Sequence, residues 1–301
     1  MKTRISILAA ATVLAGATMI AQQAPATAPA AGAQQPGGRG QGRGQGAQGS
    51  PFSTPPIRIF LYGGLKTHAE GQHDYPQFVA DWSKLLMNRN AIVDGALHFP
   101  SEKELLNSDV VVIYKGDAGY MSMEDRANLD AYMRRGGGIV SIHDSLCGPN
   151  PGDFADIVGG AKKHGETNFT LEADIPYTIV DKTNPIMEGL SDFTIKDEAF
   201  FLMTWAQSPK IHVLANATIA DTPSAKGHAG ELVPQIWTYE NTIAGGTQPY
   251  RAFVWMQGHN YTNFTDPKLQ PMILKGIAWA AKKPYDALMT VRPARGRSGG
   301  Q

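Results

Sequence analysis

Residues 109–114 read Asp-Val-Val-Val-Ile-Tyr, an apolar run with no polar alternation after its first residue. A strand of that kind has to be covered on both faces, which is the environment of a parallel sheet between two layers of helices. The flanking sequence fits this reading. Residues 57–62 are rich in β-branched and aromatic side chains and stop at Gly63-Gly64. Phe78, Trp82, Leu85 and Leu86 then recur at helical spacing, which predicts a helix over residues 75–88. Ser122 and Asp125 form an S-x-x-D cap for another helix, with Leu129, Tyr132 and Met133 on its buried side, and the glycines at 136–138 end it. Residues 139–142 are the next strand. The order βαβαβ predicts an α/β chain, a three-layer α/β/α sandwich on a mostly parallel, doubly wound, flavodoxin-like sheet. Beyond Pro176, shorter strands at 177–181, 212–215, 235–239 and 251–256 precede a helix over 268–282, so antiparallel strands should extend the sheet.

The ends of the chain have a different composition. Lys2 and Arg4 precede an apolar run from Ile5 to Ile20 and small residues at Ala21, Ala24 and Ala26. This layout predicts a secretory signal peptide over 1–26, and hence export to a periplasmic or extracellular space with no membrane insertion after cleavage. Residues 27–56 are almost wholly Ala, Gln, Gly, Pro, Arg and Ser, too poor in apolar surface to offset the entropy of ordering, and predict a disordered linker. One domain is expected over 57–285 and a disordered tail over 286–301. Lys and Arg number 27 and Asp and Glu 27, a balance that argues against a nucleic-acid surface and favours a small neutral ligand. Cys147 is the only cysteine, so no disulfide framework exists, and it reads as a half-buried loop thiol.

Ligands of open α/β sheets bind beyond the carboxyl ends of the strands. Five of the eight histidines fall there: His68 and His73 after the first strand, His143 at the end of Gly-Gly-Gly-Ile-Val-Ser-Ile-His, His164 after Gly159-Gly160, and His259 after the late strand. Histidine is both the usual acid or base near neutral pH and the commonest metal ligand, although no H-E-x-x-H spacing is present. Asp197-Glu198 precedes Phe200, Phe201 and Trp205, aromatics that suit a wall for a sugar ring. Adjacent carboxylates diverge on a regular backbone, so one of the two is expected in a given pocket. No G-x-S-x-G elbow and no phosphate loop are found.

Taken in order, several stretches resemble the ThuA-like (trehalose utilisation) family of the class I glutamine amidotransferase-like fold. They are the glycine loop from Gly63-Gly64 to His68, the strand ending at His143, the Gly-Gly-x-x-x-His element ending at His164, Asn184-Pro-Ile-Met-Glu-Gly-Leu190 leading to Asp197-Glu198, and Gly258-His259. Where the amidotransferases carry a nucleophilic cysteine this chain has His143, and where they carry the glutamate of a His-x-Glu pair it has Tyr261. Glutamine hydrolysis is therefore not expected. The resemblance implies a small-molecule carbohydrate, a sugar or keto-sugar, as ligand. It implies His143, His259, Glu198 and Asp144 as catalytic groups, with Asp144 orienting His143 or binding a sugar hydroxyl. His68, His164, Asp197, Asn260 and Trp205 are implied to meet the substrate. His143, His164 and His259 with a carboxylate would suit a divalent zinc or manganese ion; without metal the same groups can transfer protons beside a carbonyl. A second expectation is a non-catalytic sugar-binding module with stacking faces on Trp205, Trp237, Tyr239 and Trp255.

Overall fold

The computed structural model describes residues 52–207 and 210–293. The signal peptide expected over 1–26, the greater part of the linker and the last residues of the tail lie outside the described residues. In chain order the strands and helices are β1 (Ile57–Gly63), α1 (Tyr75–Met87), β2 (Ala91–Ala96), α2 (Glu102–Leu106), β3 (Val110–Tyr114), α3 (Met123–Arg134) and β4 (Gly138–Ile142). They continue with β5 (Cys147–Gly148), α4 (Pro151–Val158), β6 (Gly160–Lys163), β7 (Ala173–Ile179), β8 (Phe193–Asp197) and β9 (Thr204–Trp205). The last are β10 (Ile211–Thr218), β11 (Leu232–Asn241), β12 (Tyr250–Trp255) and α5 (Leu269–Ala280).

Nine strands form one sheet in the order β2-β1-β3-β4-β12-β11-β10-β7-β8. From β2 to β12 every pairing is parallel, and from β12 to β8 every pairing is antiparallel. The α/β class, the parallel half and the antiparallel extension are as the sequence predicts. Alternate residues of the central strands enter opposite cores. Ile59, Leu61, Val112 and Ile142 pack with α1 and α5 on one face, while Phe60, Val111, Ile113 and Ile139 pack with α3 and α4 on the other. Both faces are therefore apolar, which is why these strands carry no polar alternation.

Two strands of the nine-stranded sheet have no counterpart in the sequence reading, nor do the short strands β5, β6 and β9, which pair with one another apart from it. β2 is an edge strand with Ile92 more than half exposed and with Asp94 and Gly95 inside it, so it lacks the buried pattern of its neighbours. β8 alternates buried and exposed residues through Phe193-Thr-Ile-Lys-Asp197 and pairs with β7. The domain also reaches past the limits expected from composition. Leu288 is fully buried in the core, and the backbone N–H of Arg292 donates to the carbonyl of Asn88 at 2.7 Å. At the other end Asn90 Nδ2 donates to the Thr54 carbonyl at 3.0 Å. Residues 52–56 and 286–293 thus lie against the domain, held by single apolar and polar anchors. Among the described residues no helix is long and apolar enough to cross a membrane.

Candidate functional site

His73, His143, Glu198 and His259 converge at the carboxyl ends of the parallel strands. His73 comes from the loop between β1 and α1, His143 from the residue after β4, and His259 from the turn after β12. Glu198 comes from the chain leaving β8. One ligand atom of each lies within 4.8 Å of the others. His73 Nε2 is 3.0 Å from His143 Nε2 and 3.0 Å from His259 Nδ1. Glu198 approaches His259 Nδ1 at 3.5 Å and His143 Nε2 at 3.9 Å. The histidines are almost wholly enclosed, at 2 %, 0 % and 4 % exposure for His73, His143 and His259.

Local backbone geometry aims these rings. His143 has φ of 52° and His73 of 46°, left-handed values that side chains with a Cβ seldom adopt and that cluster where function holds them. Gly258, at φ 141°, passes so near His143 that an added Cβ would sit 3.2 Å from the His143 Cβ. Phe200 stacks on the His143 ring with centroids 5.0 Å apart.

The hydrogen bond of His143 fixes which of its nitrogens carries the proton, and those of His73 allow the same arrangement. His143 Nδ1 lies 3.0 Å from the Met256 carbonyl, which only accepts, so Nδ1 holds the hydrogen and Nε2 presents its lone pair to the cluster. His73 Nδ1 faces the Tyr75 hydroxyl at 2.9 Å and the Thr67 hydroxyl at 3.1 Å. These hydroxyls can accept its hydrogen and leave Nε2 with a lone pair as well. A ring nitrogen bonded to a backbone carbonyl or hydroxyl, with the other nitrogen aimed at a common point, is the arrangement of metal-ligating histidine. Donors on a tetrahedral zinc with Zn–N of about 2.0–2.1 Å stand roughly 3.3 Å apart. The separations of 3.0 and 3.0 Å between rings, and of 3.5 and 3.9 Å to the two different oxygens of Glu198, bracket that value, and all four ligand atoms lie within 4.8 Å of one another. Three imidazoles and one carboxylate in this arrangement could hold a metal ion.

Burial sets the charge state. Desolvation, with the neighbouring His143, lowers His73 to about 2. Desolvation likewise lowers His143 and His259 to about 4. The three rings are neutral at pH 7 and ready to donate lone pairs. Glu198 is pushed up to about 8 by desolvation and then by the charge of Asp144. Burial, the largest single influence, would raise Asp144 too, but its neighbours outweigh it and hold this carboxylate well below its usual range; Lys162, at 3.4 Å, is the cation among them at neutral pH.

Asp197 and Glu198 divide as adjacent residues must. Glu198 enters the cluster, whereas Asp197 is fully buried and accepts from the backbone N–H groups of Glu198 at 2.8 Å, Gly258 at 3.2 Å, His259 at 3.2 Å and Asn260 at 3.3 Å. Asn263 Nδ2 donates to it at 2.5 Å. Its carboxylate builds the turn that carries His259 and has no oxygen left for a substrate, unlike the role implied by resemblance. Asn260 is part of the same turn, and its amide donates to the Lys196 carbonyl at 3.0 Å.

Asp144 borders the cluster, with one oxygen 3.8 Å from His73 Nε2 and the other 3.4 Å from Lys162 Nζ. The Lys162 ammonium also lies 3.7 Å from the centre of the Phe200 ring. Cys147 Sγ donates to Asp144 at 3.3 Å, and burial pushes its thiol well up, so it is a packed thiol and no nucleophile. His68 sits at the exposed rim, its ring centroid 3.9 Å from that of His73.

His164, expected among the metal ligands, stands outside the group of four. Its ring is half exposed, and Nδ1 meets Asp117 at 2.6 Å. Trp205 packs edge-on against Trp237 with centroids 5.1 Å apart. Trp237, Tyr239 and Trp255 are fully buried, so none of them offers a stacking face. Sequence reasoning placed His73 among the strand-end histidines without choosing it, and missed Lys162. The signal for His73 was its position in one loop with His68; Lys162 had none, because its role depends on β6 lying beside Asp144.

No curated protein matches the chain by sequence. Among solved structures, a thua-like protein from Bacteroides uniformis matches with 16 % identity and a TM-score of 0.55, covering 77 % of this chain and 94 % of that one. A thua-like protein from Parabacteroides merdae matches with 19 % identity and a TM-score of 0.56, covering 79 % of this chain and 94 % of the other. The sequence model of the ThuA family, described as trehalose utilisation, matches residues 58–280, and with that match over nearly the whole domain the chain belongs to the ThuA family.

Proposed function

We propose that this protein is an exported enzyme of carbohydrate metabolism in which a divalent metal on His73, His143, His259 and Glu198 assists a reaction of a sugar or keto-sugar. The observation that carries the reading is the convergence of three neutral imidazole nitrogens and a carboxylate within 4.8 Å. Lone pairs turned on one another in a buried site are unfavourable unless a cation or shared proton lies between them. Family membership supports the carbohydrate, and the charged and apolar pattern of residues 1–26 supports export. A zinc or manganese ion held there supplies Lewis-acid polarisation of a sugar carbonyl or hydroxyl oxygen.

The chain's own groups supply the rest. Asp144 is kept ionised beside the cluster and can accept a hydrogen bond from a sugar hydroxyl. Lys162, held by Asp144, presents N–H donors for a second sugar oxygen. Phe200 and the buried strand ends exclude water from the inner side, which strengthens each of these contacts. The test is the metal content of untagged protein purified without chelator, together with turnover of a 3-keto-glucoside followed by NMR. Near-stoichiometric zinc or manganese, lost together with turnover in His143→Ala, is the expected result. Full turnover in metal-free protein would leave proton transfer by the side chains alone, and sugar binding without turnover in any form would make the chain a binding module.

A further inference from the structure

The loop that delivers His73 has no helix or strand between Gly63 and Tyr75. It turns on two side-chain-bearing residues in the left-handed region, His68 at φ 63° and His73 at φ 46°. The side chain of Lys66, 38 % exposed, folds back over it. Lys66 Nζ donates to the carbonyls of Thr67 at 2.9 Å, Ala69 at 2.5 Å and Gln72, and pairs with Asp74 Oδ1 at 2.9 Å. Three carbonyl oxygens and a carboxylate facing one point repel one another unless a cation fills the space, and an ammonium offers three hydrogens to them. Each contacted residue bears on His73. Thr67 places its hydroxyl on His73 Nδ1, Gln72 and Asp74 flank His73 in the chain, and Ala69 accepts from the Gln72 N–H at 3.1 Å.

We propose that Lys66 is the positioning residue of the site, a built-in monovalent cation around which residues 66–74 fold and which thereby fixes the direction of His73 Nε2. The loop has a separate attachment to the turn after β12, through His73 N–H to the His259 carbonyl at 2.9 Å and Tyr261 N–H to the Gly71 carbonyl at 2.8 Å. Removing the ammonium should therefore loosen the ring without unfolding the domain. The inference rests on the metal reading above only where zinc is used as the probe.

The test uses the full chain and Lys66→Ala and Lys66→Arg forms. Zinc affinity is measured by competition with a chromophoric chelator, and hydrogen–deuterium exchange is followed over residues 66–74. In Lys66→Ala, zinc affinity should fall by about 10- to 100-fold, the scale found when groups that orient metal ligands are removed, with an unchanged far-UV spectrum and faster exchange in the loop. Methylammonium should restore both readings, and tetramethylammonium, which has no N–H, should restore neither. Arginine's flat fork cannot enter the same cage, so Lys66→Arg should behave like Lys66→Ala. Wild-type zinc affinity in Lys66→Ala, or a loss that methylammonium leaves untouched, would overturn the proposal. If the wild-type chain takes up no zinc, the metal reading fails and loop exchange decides: unchanged exchange in Lys66→Ala rejects the positioning role, and faster exchange reversed by methylammonium upholds it.

Discussion

The cluster of His73, His143 and His259 and the pair His164–Asp117 are made of similar residues, all in segments that leave strand ends, yet they are opposite environments. The cluster's rings are nearly inaccessible, whereas His164 keeps half of its side chain in water and a single carboxylate at 2.6 Å. Desolvation keeps the buried imidazoles neutral, while His164 meets its acid partner with half of its side chain in solvent. A histidine at a strand end is thus an opportunity, and burial with a second hydrogen-bonded nitrogen is what makes it able to hold a metal ion.

The contrast is broken most severely by removing a cluster ring. His73→Ala or His143→Ala should weaken zinc binding by ~100- to 1000-fold, a quarter of the binding free energy of a four-ligand site; chelator competition reads this directly, and an unchanged affinity would exclude the cluster as a metal site. Asp197→Ala, which strands several buried backbone N–H groups in the His259 turn, should destabilise the domain by about 3 kcal/mol or more. Urea unfolding measures it, and a change under 1 kcal/mol would show that the turn closes without the carboxylate.

A gentler test uses pH. Glu198, held up to about 8, must lose a proton to bind metal at neutral pH, whereas the histidines at about 2 to 4 carry none to lose. Zinc affinity should therefore rise about tenfold per pH unit as pH climbs toward the Glu198 value and level off above it. Calorimetry in buffers of different ionisation enthalpy should find about one proton released, and Glu198→Gln should abolish that release. The smallest effect belongs to the exposed pair. His164→Ala should leave zinc affinity within about twofold and stability within about 1 kcal/mol, and a large loss of metal would place His164 back among the ligands.

How far the fold could be read in advance follows from where each element lies. β3 and β4 are continuous apolar runs because both faces are covered, and α1 and α3 carry periodic apolar residues because one face is. β2 and β8 are edge strands, half in solvent, and their mixed sequences resemble loops. Within the site, His143 and His259 stand at the ends of recognisable segments, and Glu198 is marked by its acidic pair ahead of Phe200 and Phe201. His73 lies ten residues past β1 in an irregular loop, where no periodicity marks a direction.

The sequence by itself determined the alternation of strands and helices, the absence of a thiol nucleophile at residue 143, and the placing of histidines beyond strand ends. Those are properties of neighbouring residues, and local periodicity and residue chemistry carry them. It took the folded chain to show that His73 and not His164 completes the cluster, that Glu198 enters it while Asp197 builds a turn, and that Lys162 lies beside it. These depend on contacts between residues from a few to nearly two hundred positions apart, set by strand order, loop path and burial, and none of these leaves a pattern in the sequence around the residues concerned.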